Sequence, residues 1–360
     1  MPKRNKRVKT CKDNNLSNLP DDILHQILSF IDTKFVVQTC VLSKRYRDLW
    51  KTIPDLSFDS TNFNRVFYFK KFVLDVLNRR DHSVDICKFS LTCRGRINKS
   101  FMTKVIDYLV SHNVKHLCLH VKWGEFHLPQ RLIACNSINS LVMETFRPEI
   151  LPGNWFGFVG LQDLHLSKMQ FNYESQQPFD PFSSCQNLRN LCLCDCYLSG
   201  FSVFRITGPQ LITFNLSNFV LANPGRIELL APVLTSFSLV KSIPLNFALV
   251  ELPAITNVNV QVFVPFQFFL SNPSRQSVAN TLTNMFRVLR RARFVTLSYG
   301  TLKILIDAPN GLQPSPFTEL EKMKLKMQYG QNSIAIPPHV SAYLLSASGY
   351  RTTLEIQVER

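Results

Sequence analysis

Cys192, Cys194 and Cys196, in Leu191-Cys192-Leu193-Cys194-Asp195-Cys196, are the densest run of side chains able to ligate a metal or exchange disulfides. In a strand, two-residue spacing puts all three thiols on one face. The run lacks the paired knuckles of a zinc site, so metal or redox chemistry stands against plain packing or a thiol row on an open face, and no metal is expected. His112, His116 and His120 recur every four residues, yet the last two fall in a predicted strand and no His-Glu-x-x-His pattern accompanies them. They are read as core or surface histidines. A glycine-rich phosphate loop, a Gly-x-Ser-x-Gly elbow and a carboxylate pair in a catalytic context are all missing from the sequence. The reading is therefore of a non-enzyme with no catalytic residues and no cofactor.

Positive charge is the second resource. The 360 residues carry a formal net charge of +16, and Lys3, Arg4, Lys6, Arg7, Lys9 and Lys12 precede the first acid, Asp13. Residues 1–15 are expected to be a basic, disordered tail, in which Lys3, Arg4, Lys6, Arg7 and Lys9 form a candidate nuclear-localisation signal or a nonspecific polyanion contact. Arg287, Arg290, Arg291 and Arg293 make a second cluster, read as a solvated helix face or as a contact for an anion or acidic peptide. No apolar core follows the basic tail, as a secretory signal requires. The longest apolar run, Val258 to Leu270, is broken by Gln261, Pro265 and Gln267 and is too short for a bilayer. A soluble protein of the nucleus or cytoplasm, with no membrane contact and ten reduced cysteines, is expected.

The stretch with the most specific pattern is Leu16 to Phe58. Pro20 followed by Asp21 and Asp22 suits a helix start, where a fixed φ and first-turn acids both help. Ile23, Leu24, Ile27, Leu28 and Ile31 then recur at helical steps as one apolar stripe. Two further helical runs, Lys34 to Leu42 and Lys44 to Trp50, end before Pro54. So small a unit cannot bury this much apolar surface alone; it must dock on the rest of the chain or on another protein.

Leu19-Pro20, the Ile27-Leu28 pair, and Val41-Leu42-Ser43-Lys44-Arg45-Tyr46-Arg47-Asp48-Leu49-Trp50 with Pro54 and Leu56 resemble the F-box of the large plant family of F-box proteins with leucine-rich repeats. That family usually has Trp where Tyr46 stands, so an aromatic still fills the position. The resemblance implies that Leu19, Pro20, Ile23, Leu24, Ile27, Leu28, Val41, Leu42 and Trp50 contact a Skp-type adaptor or hold the helices together. Through the adaptor it implies a cullin and a RING protein.

Beyond the F-box, Val66, Phe69, Phe72, Val73, Val76 and Leu77 predict a connecting helix within 61–83, with Lys70, Lys71, Arg79 and Arg80 left to solvent. From residue 84 a motif with apolar residues at i, i+3 and i+5 recurs ten times, from Ile86-Phe89-Leu91 to Leu320-Met323-Leu325, at steps of 21 to 37 residues. The last two positions share one face of a short strand and the first anchors the turn into it, which predicts stacked parallel strands. Pro129, Pro152, Pro209, Pro232 and Pro253 fall in the returns. Asn172 to Ser184 reads as a surface loop, and Ser277 to Arg291 as an amphipathic helix. Leu354, Ile356 and Val358 read as a last strand.

The expected architecture is α/β: a small three-helix F-box (16–60) followed, after the connecting helix, by an irregular leucine-rich-repeat solenoid with a parallel β-sheet (84–360). The run Ser277 to Leu305 resembles the C-terminal repeats of the same family, in its FBD-related subgroup; a complete additional C-terminal domain is not recognised. The resemblance implies the substrate-recognition subunit of an SCF-type (Skp-cullin-F-box) ubiquitin ligase, with an unidentified protein substrate on the repeats. The alternative is a nuclear repeat scaffold binding nucleic acid or acidic proteins through the basic tail, although nucleic acid is the less favoured partner.

Overall fold

The computed structural model describes residues 19–122, 130–151, 157–175, 178–221, 226–241, 247–249, 252–263, 272–308, 316–328, 336–346 and 352–359. The basic tail therefore lies outside the described residues, as do Pro129, Pro152 and residues 264–270 of the long apolar run. Among the described residues no helix is long and apolar enough to cross a membrane.

Three short helices open the chain: α1 (Asp21–Leu28), α2 (Thr33–Gln38) and α3 (Tyr46–Leu49). The second and third are shorter than their apolar runs predict, because 3-10 turns at Thr39–Val41 and Trp50–Thr52 take over from the α-helix. Then comes β1 (Asp55–Asp59), followed by α4 (Val66–Arg79), which buries Phe69, Val73, Val76 and Leu77. Arg80 does not face solvent as its place in the sequence suggests. The chain turns extended there, and the guanidinium swings under the preceding segment and donates to the Ile53 carbonyl (2.6 Å) at 3% exposure.

The repeats supply β2 (Lys88–Arg96), α5 (Lys99–Ser111), β3 (His116–Lys122), α6 (Gln130–Ile133), β4 (Ser140–Leu151), β5 (Asp163–Ser175) and β6 (Asn190–Cys194). Next are β7 (Tyr197–Phe201), β8 (Val203–Thr207), β9 (Thr213–Ser217), β10 (Val220–Leu221), β11 (Arg226–Leu230), β12 (Ser236–Lys241), β13 (Phe247–Leu249) and β14 (Asn257–Val262). The chain closes with α7 (Asn272–Val288), β15 (Phe294–Ser298), α8 (Tyr299–Ile306), β16 (Lys322–Gln328), α9 (Pro338–Leu345) and β17 (Thr353–Glu359). One parallel sheet runs in the order β1-β2-β3-β4-β5-β6-β9-β12-β14-β15-β16-β17.

Every apolar position of the ten motif copies is buried. The reason is their register: Phe89, Leu117, Leu141, Leu164, Leu191, Phe214, Phe237, Val258, Val295 and Met323 align across the sheet on the side that the returns cover. At both ends the returns are helical, whereas in the middle they form a second parallel sheet, β13-β11-β8. Pro209, Pro232 and Pro253 each sit second in a turn closed by the N–H of Leu211, Leu234 or Ile255 on the carbonyl three residues back, at 3.1, 3.1 and 3.3 Å. A fixed φ suits that position, and the turn delivers the chain to the next strand.

Three expectations are corrected. The sheet begins before residue 84, because Ile53, Leu56 and Phe58 repeat the i, i+3, i+5 motif and β1 pairs with β2. Asn172 to Ser184 is no free surface loop: β5 continues to Ser175, and Phe182 is fully buried with its ring edge-on to Phe204 at 6.2 Å. Two phenylalanines, Phe179 and Phe182, outweigh the polar residues around them. The amphipathic helix starts earlier than predicted, at Asn272, with Leu282, Met285, Phe286 and Leu289 turned inward.

The outer edge of β1 is closed by side chains at the start of α2. The Asp59 N–H donates to Asp32 Oδ2 (2.8 Å) and the Ser57 N–H to Thr33 Oγ1 (2.9 Å), while Asp32 Oδ1 caps α2 at the Lys34 N–H (2.8 Å). Asp32→Ala removes both a helix cap and an edge partner, and a cap alone is worth about 1 kcal/mol. A loss of about 2 kcal/mol in the urea unfolding free energy is therefore expected. Asp32→Asn keeps one accepting oxygen and should lose no more than half as much.

Candidate functional site

Two surfaces carry features that packing does not explain. The first is on the opening helices. A helix advances 100° per residue, so a broad apolar stripe divides between two directions. Leu24 and Leu28 turn inward at 1% and 6% exposure, while their neighbours Ile23 and Ile27 stand 42% and 43% exposed. Phe30, Ile31 and Phe35 continue the outward set, and Val41 and Leu42 reach 84% and 69% exposure on the 3-10 turn after α2.

The helices are fastened from behind. Tyr46, Leu49 and Trp50 are buried, so the aromatic at 46 fills its place in the packing. Arg45 ion-pairs with Asp21 and donates to the Leu19 carbonyl, tying the third helix to the start of the first. Of the nine candidate residues, Pro20, Ile23, Ile27, Val41 and Leu42 are exposed and Leu19 is half-buried. Leu24, Leu28 and Trp50 are buried in the core behind them.

The second surface is the face of the sheet turned away from the returns. There Glu144 on β4 accepts from Lys168 Nζ (2.9 Å) and faces His120 Nδ1 (3.5 Å). The Lys168 hydrogen bond, with the Lys168, His120 and His165 charges, holds the Glu144 carboxyl below its ordinary range. Beside it, His165 on β5 and Cys192 and Cys194 on β6 bring their ligating atoms within 4.8 Å of one another. Cys192 Sγ lies 3.5 Å from Cys194 Sγ, and the Ser217 hydroxyl donates to Cys194 (2.9 Å). These contacts draw the Cys194 thiol down, the one from Cys192 contributing most.

The three cysteines do not share a face. After Cys194 the backbone of Asp195 turns left-handed (φ 52°), as do Lys168 (φ 59°) and Asn218 (φ 49°) in the flanking repeats. This turn re-phases the alternation, so Met169, Cys196 and Phe219 all point into the core at 0% exposure. Burial pushes the Cys196 thiol up to about 12, which leaves it protonated and inert. His165 was invisible to a search along the sequence because its partners sit one strand over; the register of β5 on β6 places it opposite Cys192.

His112 is buried and stacked on Tyr108 (centroids 3.9 Å apart), and His116 is exposed. Arg287 donates to Asn284 (3.1 Å), Arg291 to the Pro253 carbonyl (3.4 Å), and Arg293 ion-pairs with Glu321.

Residues 16–58 match the F-box domain family. The amino-terminal module is an F-box. An F-box/FBD/LRR-repeat protein of Arabidopsis thaliana is 28% identical over 243 residues, covering 66% of this chain and 55% of the relative. Another is 29% identical over 222 residues, 57% of this chain and 45% of the relative. An F-box/LRR-repeat protein of the same plant is 25% identical over 285 residues, 73% of this chain and 72% of the relative. The chain thus spans about half the length of the first two. These relatives and the parallel solenoid agree with the plant F-box/LRR resemblance read from the sequence. In the F-box, Phe30, Ile31 and Phe35 are additional exposed residues; the i+7 and i+8 steps from Ile23 were the available signal for the first two.

Lys168→Met removes the main group lowering Glu144. The Glu144 midpoint is then expected to rise toward the usual carboxylate value in a carboxyl carbon-13 NMR titration. Because the folded midpoint is depressed, the stability this pair adds is present above the unfolded carboxylate pKa and is lost as pH falls through the folded one.

Proposed function

We propose that this chain is the substrate-recognition subunit of an SCF-type ubiquitin ligase, acting in the nucleus or cytoplasm. Its F-box binds a Skp-type adaptor, and through it a cullin and a RING protein, while the repeats bind a protein to be ubiquitinated. The observation that carries this is the outward apolar set Ile23, Ile27, Phe30, Ile31, Phe35, Val41 and Leu42 on a module whose own core is already filled by Leu24, Leu28, Tyr46, Leu49 and Trp50. Exposed large apolar side chains concentrated on one small module mark a protein-binding surface. Within this reading Ile23, Ile27, Val41 and Leu42 face the adaptor, with Pro20 at the margin, and Leu24, Leu28 and Trp50 support them from behind.

The mechanism is proximity. A receptor that holds substrate beside a charged ubiquitin thioester raises the effective concentration of its lysines and needs no nucleophile of its own. That accords with F-box/LRR proteins being typically non-catalytic adaptors. The polar face of the sheet, with Glu144, Lys168, His165 and the Lys322, Lys324 and Lys326 row of β16, is the substrate surface in this reading.

Ile23→Asp with Val41→Asp places two charges in the patch and none in the core. Calorimetric titration with a purified Skp-type adaptor is expected to show at least about a 100-fold weaker Kd, the scale of two interface hot spots. The circular dichroism spectrum stays unchanged, and Val159→Asp in the repeats leaves binding as it was. Unaltered affinity in the double variant refutes the proposal.

A further inference from the structure

The geometry points to a binding site for a thiophilic divalent ion of the zinc class on the open face of the sheet, ligated by His165, Cys192 and Cys194. It does not depend on the ligase reading. Two thiolates on one tetrahedral zinc, with Zn–S near 2.3 Å, lie about 3.8 Å apart, and a thiolate and an imidazole nitrogen about 3.6 Å apart. The observed Sγ–Sγ separation is 3.5 Å, and all three ligating atoms fall within 4.8 Å of one another. Small side-chain adjustments therefore suffice.

The backbone arranges this without strain at the ligands. Cys192 and Cys194 are successive outward positions of β6, and His165 is the direct cross-strand partner of Cys192 on β5. Free cysteine is among the most buried residue types, yet these two are partly exposed on a polar face and contribute nothing to the core. The chain sends the third thiol of the run inward and keeps two beside a histidine.

Disulfide formation between Cys192 and Cys194 suits the frame less well. Residues two apart in a strand have Cα atoms about 6.7 Å apart, at the limit of disulfide reach. Sulfur and imidazole donors select zinc-class ions over magnesium or calcium. Ser217, which donates to Cys194, is an outer-shell partner. Three protein ligands leave one position open toward solvent, as in exchangeable rather than closed structural sites.

The test uses the full chain, reduced and stripped of metal with a chelator, then titrated with Co²⁺ and back-titrated with Zn²⁺. One equivalent of Co²⁺ is expected to give thiolate-to-cobalt charge-transfer absorption and tetrahedral d–d bands that Zn²⁺ abolishes. Cys192→Ser, Cys194→Ser and His165→Ala should each weaken uptake by at least about 100-fold, and Ser217→Ala by about tenfold, within the range for outer-shell partners. Cys118→Ser, on the same face two strands away, should leave it unchanged. Circular dichroism checks the fold of each variant. A second measurement needs no variant: Zn²⁺ should shield Cys192 and Cys194, but not Cys118, from iodoacetamide, read by peptide mass. Absence of the charge-transfer band, its persistence in His165→Ala and Cys192→Ser, or equal alkylation with and without Zn²⁺ overturns the inference.

Discussion

Two hydrogen bonds at the edge of β1 determine what kind of molecule this is. An edge strand presents unpaired N–H groups. Here those of Ser57 and Asp59 end on Thr33 Oγ1 and Asp32 Oδ2, at the start of an F-box helix. The F-box consequently closes the end of the solenoid and supplies its first strand. Leu56 and Phe58 enter the same hydrophobic core that continues to Leu344, and the Arg80 guanidinium clamps the junction from the other side at the Ile53 carbonyl. A small three-helix unit, too small to be stable alone, borrows the core of its neighbour.

The limited interior of the helical unit explains why the apolar stripe of α1 divides as it does. Leu24 and Leu28 turn into the module's own core, where Tyr46, Leu49 and Trp50 meet them. Once the interior is full, further apolar side chains at the same helical period can only face outward. Ile23, Ile27 and Ile31 do so, and Val41 and Leu42 extend the patch because a 3-10 turn presents successive residues along a tighter screw than an α-helix. The apolar excess noticed in the sequence is thus a property of the surface alone.

The strand positions were legible because burial has one strong rule, in which i+3 and i+5 face inward, and the rule held in every copy. What it could not reveal depends on neighbours distant in sequence. The second sheet, β13-β11-β8, forms between returns of successive repeats, with Val203 opposite Arg226 and Ile227 opposite Phe247. Arg80 reads as solvated until the Ile53 carbonyl is placed over it, and Phe182 reads as part of a polar loop until Phe204 is placed beside it. Cys196 seemed to share a face with Cys192 and Cys194, and a single left-handed residue, Asp195, reverses it. In the F-box the family pattern located the helices. The division of its residues between inside and outside needed the packing itself.

The shared core also constrains any bridging role. Were the F-box joined to the repeats by a flexible linker, its apolar patch and the open face of the sheet would sample many separations, and the effective concentration of one site at the other would be diluted accordingly. Here the two faces are set on one hydrogen-bonded frame: β1 pairs residue by residue with β2, from Asp55 opposite Lys88 to Asp59 opposite Thr92, and each following strand is registered on the last. A partner held at Ile23 and Val41 and another held near Glu144 or His165 would therefore keep a fixed mutual geometry. If the chain bridges two partners as proposed, loosening the β1 edge at Asp32 should degrade that geometry without touching either surface.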